Sequence, residues 1–424
     1  MKKSFWLWSA VFLWIWSMVG SWIFVLLWEA GSIAWNLVWV SFLLGWVVAL
    51  LSWYSLSKLA VAFPNRWWII EYLVQCYWKW FFSWTISVLF YLSALVALSM
   101  VAKTFWTYLS VLLWLNWKVW VNIFSVWVII LFLWINLAWS KLMAKSENII
   151  VLIKLSILIL FTIIISFFIK PEYLTHIDKN IKYLDIFYAI WLTFFAYEWF
   201  RVITNTAEDI ENPSKNLPKA MMIAISLVII LYFFITIAVF WNLTLDEIVK
   251  TKDYALAEAS KPVLWTIWFS IMAIAALIST SSSINANLYA VANVSYDMAI
   301  NWELPKKYTY WIFHSNLWLL ISWLIIIIFI LFFDLSEIAS IWALSMLFIH
   351  LIVHIGHLFV IKKTKASKIL LYLAIFTISL VIYFAYNYTA TKINNLWYMI
   401  FSLILFSFIL EVFLRLKFNR IVWK

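Results

Sequence analysis

Apolar runs of about seventeen or more residues recur along the whole chain, and each is long enough to cross the hydrocarbon core of a bilayer as a helix. Residues 223–240, 317–333 and 369–386 are the clearest. A segment in lipid must satisfy its own backbone hydrogen bonds, so such a chain folds as a helix bundle or a closed barrel. Alternation is weak and hairpin signals are absent, which argues against the barrel. Hydrophobic residues make up 67% of the sequence and charged residues 12%, a balance no soluble domain shows.

The pattern predicts an all-α membrane protein of about twelve transmembrane helices. They lie near residues 6–29, 36–58, 82–109, 120–138, 148–169, 185–202, 220–240, 263–287, 316–333, 337–361, 369–388 and 396–416. Connections are short, so residues 1–424 read as one transmembrane domain with no soluble module. Met1-Lys2-Lys3 before an apolar run resembles a signal peptide, but no small-residue cleavage site precedes a full-length span, so it reads as a retained first helix. With both termini cytoplasmic, 20 Lys and Arg fall inside and 9 outside, leaving Lys154 aside as part of a span. That bias fits the cytoplasmic membrane. It also accounts for the net charge of +11 through basic loops rather than a nucleic-acid partner. The single cysteine, Cys76, excludes an intrachain disulfide and reads as a small buried residue.

Tryptophan and glycine have traded places. The chain holds 34 Trp and 4 Gly, whereas ordinary usage of roughly 7% would give about 30 Gly. The excess Trp falls where glycine is needed. Trp14, Trp16 and Trp22 surround Ser17-Met18-Val19-Gly20-Ser21, and Trp67-Trp68 follow the turn-like Phe63-Pro64-Asn65-Arg66. A gene whose UGA codons are read as glycine, translated with a table that reads them as tryptophan, would produce this pattern. Glycine lets a backbone unwind and approach a ligand; tryptophan forbids both. Read literally, the chain is expected to crowd its own site with indoles and to lose transport.

Two spans look interrupted. Span 1 carries the Ser17–Ser21 stretch and span 6 carries Phe195-Ala196-Tyr197-Glu198 with an acid in mid-membrane. Broken helices at matching positions of two halves point to a transporter's binding site. The halves are residues 6–169 (helices 1–5) and 185–361 (helices 6–10), followed by helices 11–12 in 369–416.

The motifs resemble those of the amino acid–polyamine–organocation superfamily, in its bacterial amino acid permease branch. With most Trp read as Gly, residues 6–24 become close to the family's first-helix signature, Trp8 matching a true tryptophan. Phe63-Pro-Asn-Arg-Trp-Trp resembles the turn after helix 2, and Asn136-Leu-Ala-Trp-Ser-Lys the loop before helix 5. Phe194-Phe-Ala-Tyr-Glu-Trp-Phe resembles the broken helix 6. Glu208-Asp-Ile-Glu-Asn-Pro-Ser-Lys-Asn-Leu-Pro resembles the acidic loop, and Ala299-Ile-Asn-Trp-Glu-Leu-Pro the stretch after helix 8. Asn293 departs from the family, where many members carry arginine. The resemblance implies a five-plus-five inverted-repeat (LeuT-like) core, two extra helices and no enzymatic activity. It implies secondary transport of an amino acid or amine by alternating access, by proton symport or, alternatively, by exchange.

In a broken helix, N–H groups at a half-helix N-terminus favour a carboxylate and carbonyls at a C-terminus favour an ammonium. Gly20, Ser21 and Trp22 are therefore candidates for the carboxylate, and Ser17, Met18, Ala196 and Tyr197 for the ammonium. Phe195 falls where relatives place an aromatic gate. Ser283 and Asn287, one turn apart in span 8, are candidates to line the same cavity. Glu198 is a functional candidate because an acid in mid-membrane is costly, roughly 2.5–3.5 kcal/mol on insertion scales for the comparable Asp. It would meet a cationic substrate, titrate with a coupled proton or pair with a cation; a structural hydrogen bond is the plain alternative. Lys154 either snorkels to the surface or, as in proton-coupled relatives, holds the place of a sodium ion and exchanges a proton. Ser279–Ser283 offer hydroxyls to sodium, which an ammonium at that site excludes. His350, His354 and His357 share one helix face at i, i+4 and i+7. That spacing fits hydrogen bonding between helices better than the alternative, a metal- or haem-bearing enzyme. No cofactor motif or catalytic nucleophile is present, and no metal is implied.

Overall fold

The computed structural model describes residues 7–19, 21–63, 68–78, 81–115, 120–175, 181–198, 211–251, 254–300, 311–312, 315–392 and 396–418. Within these, the side chains of Ser17, Ser21, 135–151 and 289–300, among others, lie outside the description. The chain is an all-α membrane protein. Its helices are α1 (Leu7–Met18), α2 (Ser21–Ala34), α3 (Val38–Ala62), α4 (Trp68–Tyr77), α5 (Phe81–Leu112) and α6 (Val121–Ile165). Then come α7 (Glu172–Thr175), α8 (Tyr183–Tyr188), α9 (Ile190–Glu198), α10 (Pro213–Phe240), α11 (Leu245–Thr251), α12 (Ala255–Glu258) and α13 (Lys261–Ile300). After β1 (Trp311–Ile312) and β2 (Ser315–Asn316), a two-residue antiparallel pair, follow α14 (Leu317–Phe332), α15 (Leu335–Phe359), α16 (Ile361–Thr364), α17 (Lys368–Lys392) and α18 (Leu396–Phe418). Among the described residues, seven helices are long and apolar enough to cross a membrane, the first running from Trp22 to Ala62. Val121–Trp134, Leu152–Phe168 and Ser322–Phe332 are shorter apolar stretches.

Local chemistry explains several ends. Pro213 opens α10 at its first position, where a missing N–H costs nothing. Thr244 caps α11 with a reciprocal pair: Glu247 N–H donates to Thr244 Oγ1 (3.2 Å) and Thr244 N–H to Glu247 Oε2 (2.8 Å), a capping box. Many hydroxyls inside the spans donate within their own helices, as when Ser93 and Thr104 donate to the carbonyls of Leu89 and Met100. In lipid no water is there to accept instead.

One expected loop is helical. The sequence predicts separate spans at 120–138 and 148–169 joined around Asn136–Lys141, yet α6 runs unbroken from Val121 to Ile165. As written, this stretch has neither Pro nor Gly; Trp139 stands where the resemblance places glycine. Nothing in it breaks a helix.

The chain divides into two compact units. The first comprises Met1–Ser87, Thr162–Ala255 and Ala343–Asn394; the second comprises Val88–Phe161, Leu256–Trp342 and Asn395–Lys424. In the first unit, α3 packs against α9, α10 and α17, and α10 also against α1. Gly45 sets the α3–α9 approach: a Cβ there would lie 3.0 Å from the backbone nitrogen of Phe194 and 2.6 Å from Thr193 Oγ1. The two helices are also stitched by Thr193 Oγ1, which donates to the Ser41 carbonyl at 2.8 Å. In the second unit, Tyr91 and Ser322 hydroxyls are hydrogen-bonded between α5 and α14. Lys103 Nζ of α5 donates to the carbonyl of Phe333, just past the end of α14, where a helix leaves its carbonyls unpaired.

The left-handed backbone region holds five non-glycine residues among those described, and three are tryptophans: Trp35 (φ 42°), Trp78 (φ 60°) and Trp114 (φ 55°). Each follows a helix end. At the end of α5, Leu115 N–H donates to the Ser110 carbonyl (2.8 Å) and Trp114 N–H to that of Val111 (3.2 Å). These two bonds make a Schellman motif with Trp114 at the position that glycine usually fills.

Candidate functional site

The first span breaks where the sequence places its small-residue stretch. α1 ends at Met18 and α2 begins at Ser21; Gly20 lies outside the described residues. Val19 N–H still reaches the Ile15 carbonyl at 2.7 Å, closing the last turn of α1. The Met18 carbonyl beyond it accepts from the Tyr232 hydroxyl of α10 at 2.8 Å. Met18 and Trp22 are both buried, Trp22 at 1% exposure, so an indole occupies protein interior one residue into α2.

Both α1 and α2 pack against α9, whose last residue is Glu198. Phe195, Ala196, Tyr197 and Glu198 are all fully buried. The structure thus brings Met18, Trp22 and the 195–198 run into one unit. Tyr197 meets Phe42 (6.1 Å) and Tyr232 (5.5 Å) ring to ring. Its hydroxyl is buried with no hydrogen-bond partner among the described residues. Phe195 stacks edge-on against Phe194 at 5.0 Å. Residues 199–210, and with them Trp199, lie outside the described residues, as do Trp67, residues 301–305 and the first part of the acidic loop.

Glu198 does not stand alone. Its Oε1 lies 3.0 Å from His350 Nε2 on α15. From there the polar contacts continue without interruption. Ser52 Oγ of α3 lies 3.1 Å from His350 Nδ1 and 2.9 Å from His354 Nε2. Ser55 Oγ lies 2.9 Å from His354 Nδ1 and 2.8 Å from His357 Nδ1. His357 Nε2 ends the series at Thr364 Oγ1 of α16, 2.8 Å away. All three histidines and both serines are buried. All six ring nitrogens are taken by hydrogen bonds, and among the described residues no group of His, Cys, Asp or Glu is arranged to hold a metal. The histidine face therefore joins helices, and the metal- or haem-bearing alternative gains nothing from it.

Ser283, Asn287 and Lys154 belong to the second unit. Asn287 Nδ2 donates to the Ser283 carbonyl at 2.7 Å and lies 3.3 Å from its Oγ, so its amide is held within its own helix. Lys154 is 2% exposed, which removes the snorkelling alternative. Sequence reasoning missed Ser52, Ser55, Thr364, Tyr232 and Lys103. The serine pair had a readable signal: an i, i+3 spacing in an apolar helix matches the rungs of an i, i+4, i+7 histidine stripe.

Outside the spans, Cys76 and Tyr77 seat α4 against Gly356 of α15, where a Cβ would lie 2.5 Å from the Tyr77 ring and 2.8 Å from Cys76 Cβ. Burial pushes the Cys76 thiol up to about 12, leaving it a packing group.

Comparison with known proteins adds the family. A family model described as amino acid permease matches residues 5–413. An uncharacterized protein of Methanocaldococcus jannaschii is 30% identical over 86% of this chain and 85% of its own length. The inner membrane transport protein YbaT of Escherichia coli is 28% identical over 98% of this chain and 97% of its own. The serine/threonine exchanger SteT of Bacillus subtilis is 27% identical over 31% and 30%.

Proposed function

Because this chain belongs to the amino acid permease family, and is a membrane transporter rather than an enzyme, we propose that it carries an amino acid by alternating access, coupled to protons. The observation that carries this reading is the break between Met18 and Ser21, seated on α9, in which Glu198 is the last described residue. Backbone N–H groups at Gly20, Ser21 and position 22 take the substrate carboxylate at the start of α2. The carbonyls of Ser17, Met18, Ala196 and Tyr197 face its ammonium. The Tyr197 hydroxyl, buried and lacking a partner among the described residues, is a further donor for substrate. Phe195 serves as gate. Lys154 exchanges the coupled proton, and its burial in mid-span supports that role.

The five-plus-five repeat is supported by how the units divide. Spans 1–2 and 6–7 fall in the first unit, and most of span 3 with spans 4, 8 and 9 in the second, while spans 5 and 10 straddle the two; for the first four spans of each half, membership repeats at an offset of five. The cytoplasmic membrane with both termini inside is supported by the Lys/Arg bias and by the relative named as an inner membrane protein. A second reading, amino acid exchange, is favoured by the relative named as a serine/threonine exchanger.

Many of the tryptophans stand for glycine in the protein as its own cell makes it. Trp35, Trp78 and Trp114 in left-handed backbone support this, since bulky residues there are genuine outliers. Indole N–H groups at Trp28, Trp46, Trp53 and Trp191, buried with no acceptor among the described residues, support it too, because native buried indoles find partners. If Trp14, Trp16, Trp22, Trp67, Trp68 and Trp199 are UGA codons and Trp8 is UGG, the intact mass will match glycine at those six; UGG throughout contradicts it.

Radiolabelled amino acid uptake into proteoliposomes tests transport. Uptake driven by an acid-outside gradient and stopped by a protonophore is expected. Uptake that ignores the gradient but needs internal amino acid selects exchange.

A further inference from the structure

We propose that the alternating histidines and serines between α15 and α3 form a proton wire, joining Glu198 of α9 to the Thr364 end of α16. The inference rests on the proton-coupled reading above and adds a route to it. Nothing in that reading needs more than a single titrating group; the wire assigns six side chains besides Glu198 to the same function.

The geometry is continuous. Six contacts of 2.8–3.1 Å link Glu198, His350, Ser52, His354, Ser55, His357 and Thr364 in that order. The rungs alternate strictly because a histidine stripe at i, i+4, i+7 faces a serine pair at i, i+3 across two helices in contact. Packing alone would be satisfied by apolar side chains there. Three imidazoles in hydrocarbon depth are costly, and intramembrane ionisable groups mark proton relays.

One set of tautomers satisfies every contact with all protons pointing toward the cytoplasmic end. A protonated Glu198 donates to His350 Nε2, and His350 Nδ1–H to Ser52. Ser52 O–H donates to His354 Nε2, His354 Nδ1–H to Ser55, and Ser55 O–H to His357 Nδ1. His357 Nε2–H donates to Thr364. A proton taken up on Glu198 then leaves as each group passes its own proton forward and Thr364 gives its hydroxyl proton to cytoplasmic water. Seven N–H or O–H bonds break, from Glu198 to Thr364, and seven form, the last of them on the accepting water, and Glu198 returns to its carboxylate. No redox partner is needed, and the charge taken up equals the charge released.

The surroundings fit the direction. Thr364 is flanked by Lys362, Lys363 and Lys365, all exposed, in the loop assigned to the cytoplasm. The Lys58 ammonium of α3 acts on His357, Tyr54 of the same helix receives the Ser367 N–H at 2.7 Å, and Tyr77 and Cys76 of α4 flank Gly356. Tyr197 of α9 neighbours Glu198 in sequence. Among the described groups named here around the wire, Glu198 is the one carboxylate, and it is where the proton enters.

The test compares proton movement with substrate exchange in the full chain translated with the code of its own host. Proteoliposomes carrying an internal pH dye report protons; labelled amino acid counterflow at symmetrical pH reports substrate handling. In His354→Gln, which keeps a polar rung but offers no imidazole to relay, substrate-linked proton entry falls by roughly 10²-fold, the scale of removing a positioned acid–base group. Counterflow falls by no more than about twofold, since it needs no net proton step. Ser52→Ala repeats the split should His354→Gln prove unstable in a thermal-unfolding scan. Retained proton entry in both variants overturns the wire, as does an equal loss of proton entry and counterflow in variants that fold. Failure of the underlying reading shows in the unaltered protein instead: substrate moves without protons, and the wire falls with it.

Discussion

In the second unit the buried lysine Lys103 gives its ammonium to a backbone carbonyl, that of Phe333 at the end of α14. In the first unit His350 meets only side chains, Glu198 on one ring nitrogen and Ser52 on the other. Both residues are buried, but the two kinds of partner differ in what they permit. A backbone carbonyl has no proton to pass on, so Lys103 is a fixed strut that completes a helix end. A hydroxyl or a carboxylate both receives and releases protons, so the histidine series is suited to carrying charge. Burial alone does not separate a structural ion from a working one; the chemistry of its partner does.

The sharpest way to break the comparison is Glu198→Gln. It should abolish substrate-linked proton entry, a loss of roughly 10²-fold or more, read by the internal pH dye; an unchanged rate would make Glu198 as structural as Lys103. Lys154→Ala comes next, with gradient-driven uptake down by about tenfold, worth about 1.4 kcal/mol, and wild-type uptake would remove it from coupling. Lys103→Met should leave transport per folded molecule intact but lower stability by roughly 1–3 kcal/mol, because a buried carbonyl loses its donor. A thermal-unfolding scan in detergent checks it, and lost transport in folded protein would blur the contrast. Trp114→Gly should raise stability by about 1 kcal/mol, as relief of left-handed strain of about 1–2 kcal/mol outweighs the chain entropy of glycine. The smallest effect is at Cys76: with its thiol pushed up to about 12, the thiolate is scarce at pH 8. Maleimide labelling should therefore appear only on unfolding.

Much of this was legible in the residues. Hydropathy marked the chain as an all-α membrane protein, with seven of its helices long and apolar enough to cross a membrane among the described residues, the Ser17–Ser21 stretch located the break between α1 and α2, and the lone acid in span 6 marked Glu198. The histidine stripe was visible as a face, but not what it faces. Ser52 and Ser55 lie some three hundred residues away in sequence, and only the approach of α3 to α15 turns two stripes into one series. Lys103 was illegible for the same reason, since its partner is a main-chain atom with no letter of its own. The α6 stretch misled because a turn expected at Asn136–Lys141 needs a residue that breaks helices, and the written sequence supplies Trp139. Conversely, the left-handed angles at Trp35, Trp78 and Trp114 show a backbone that follows glycine's preferences while the letters spell tryptophan.

The most direct test is labelled neutral amino acid uptake into proteoliposomes holding the protein as its own host translates it, with the external pH stepped down and internal pH followed at once. The account predicts uptake that rises with the gradient, acidifies the lumen in step with substrate and stops with a protonophore. Uptake at the same rate without a gradient and with no change of internal pH would contradict it.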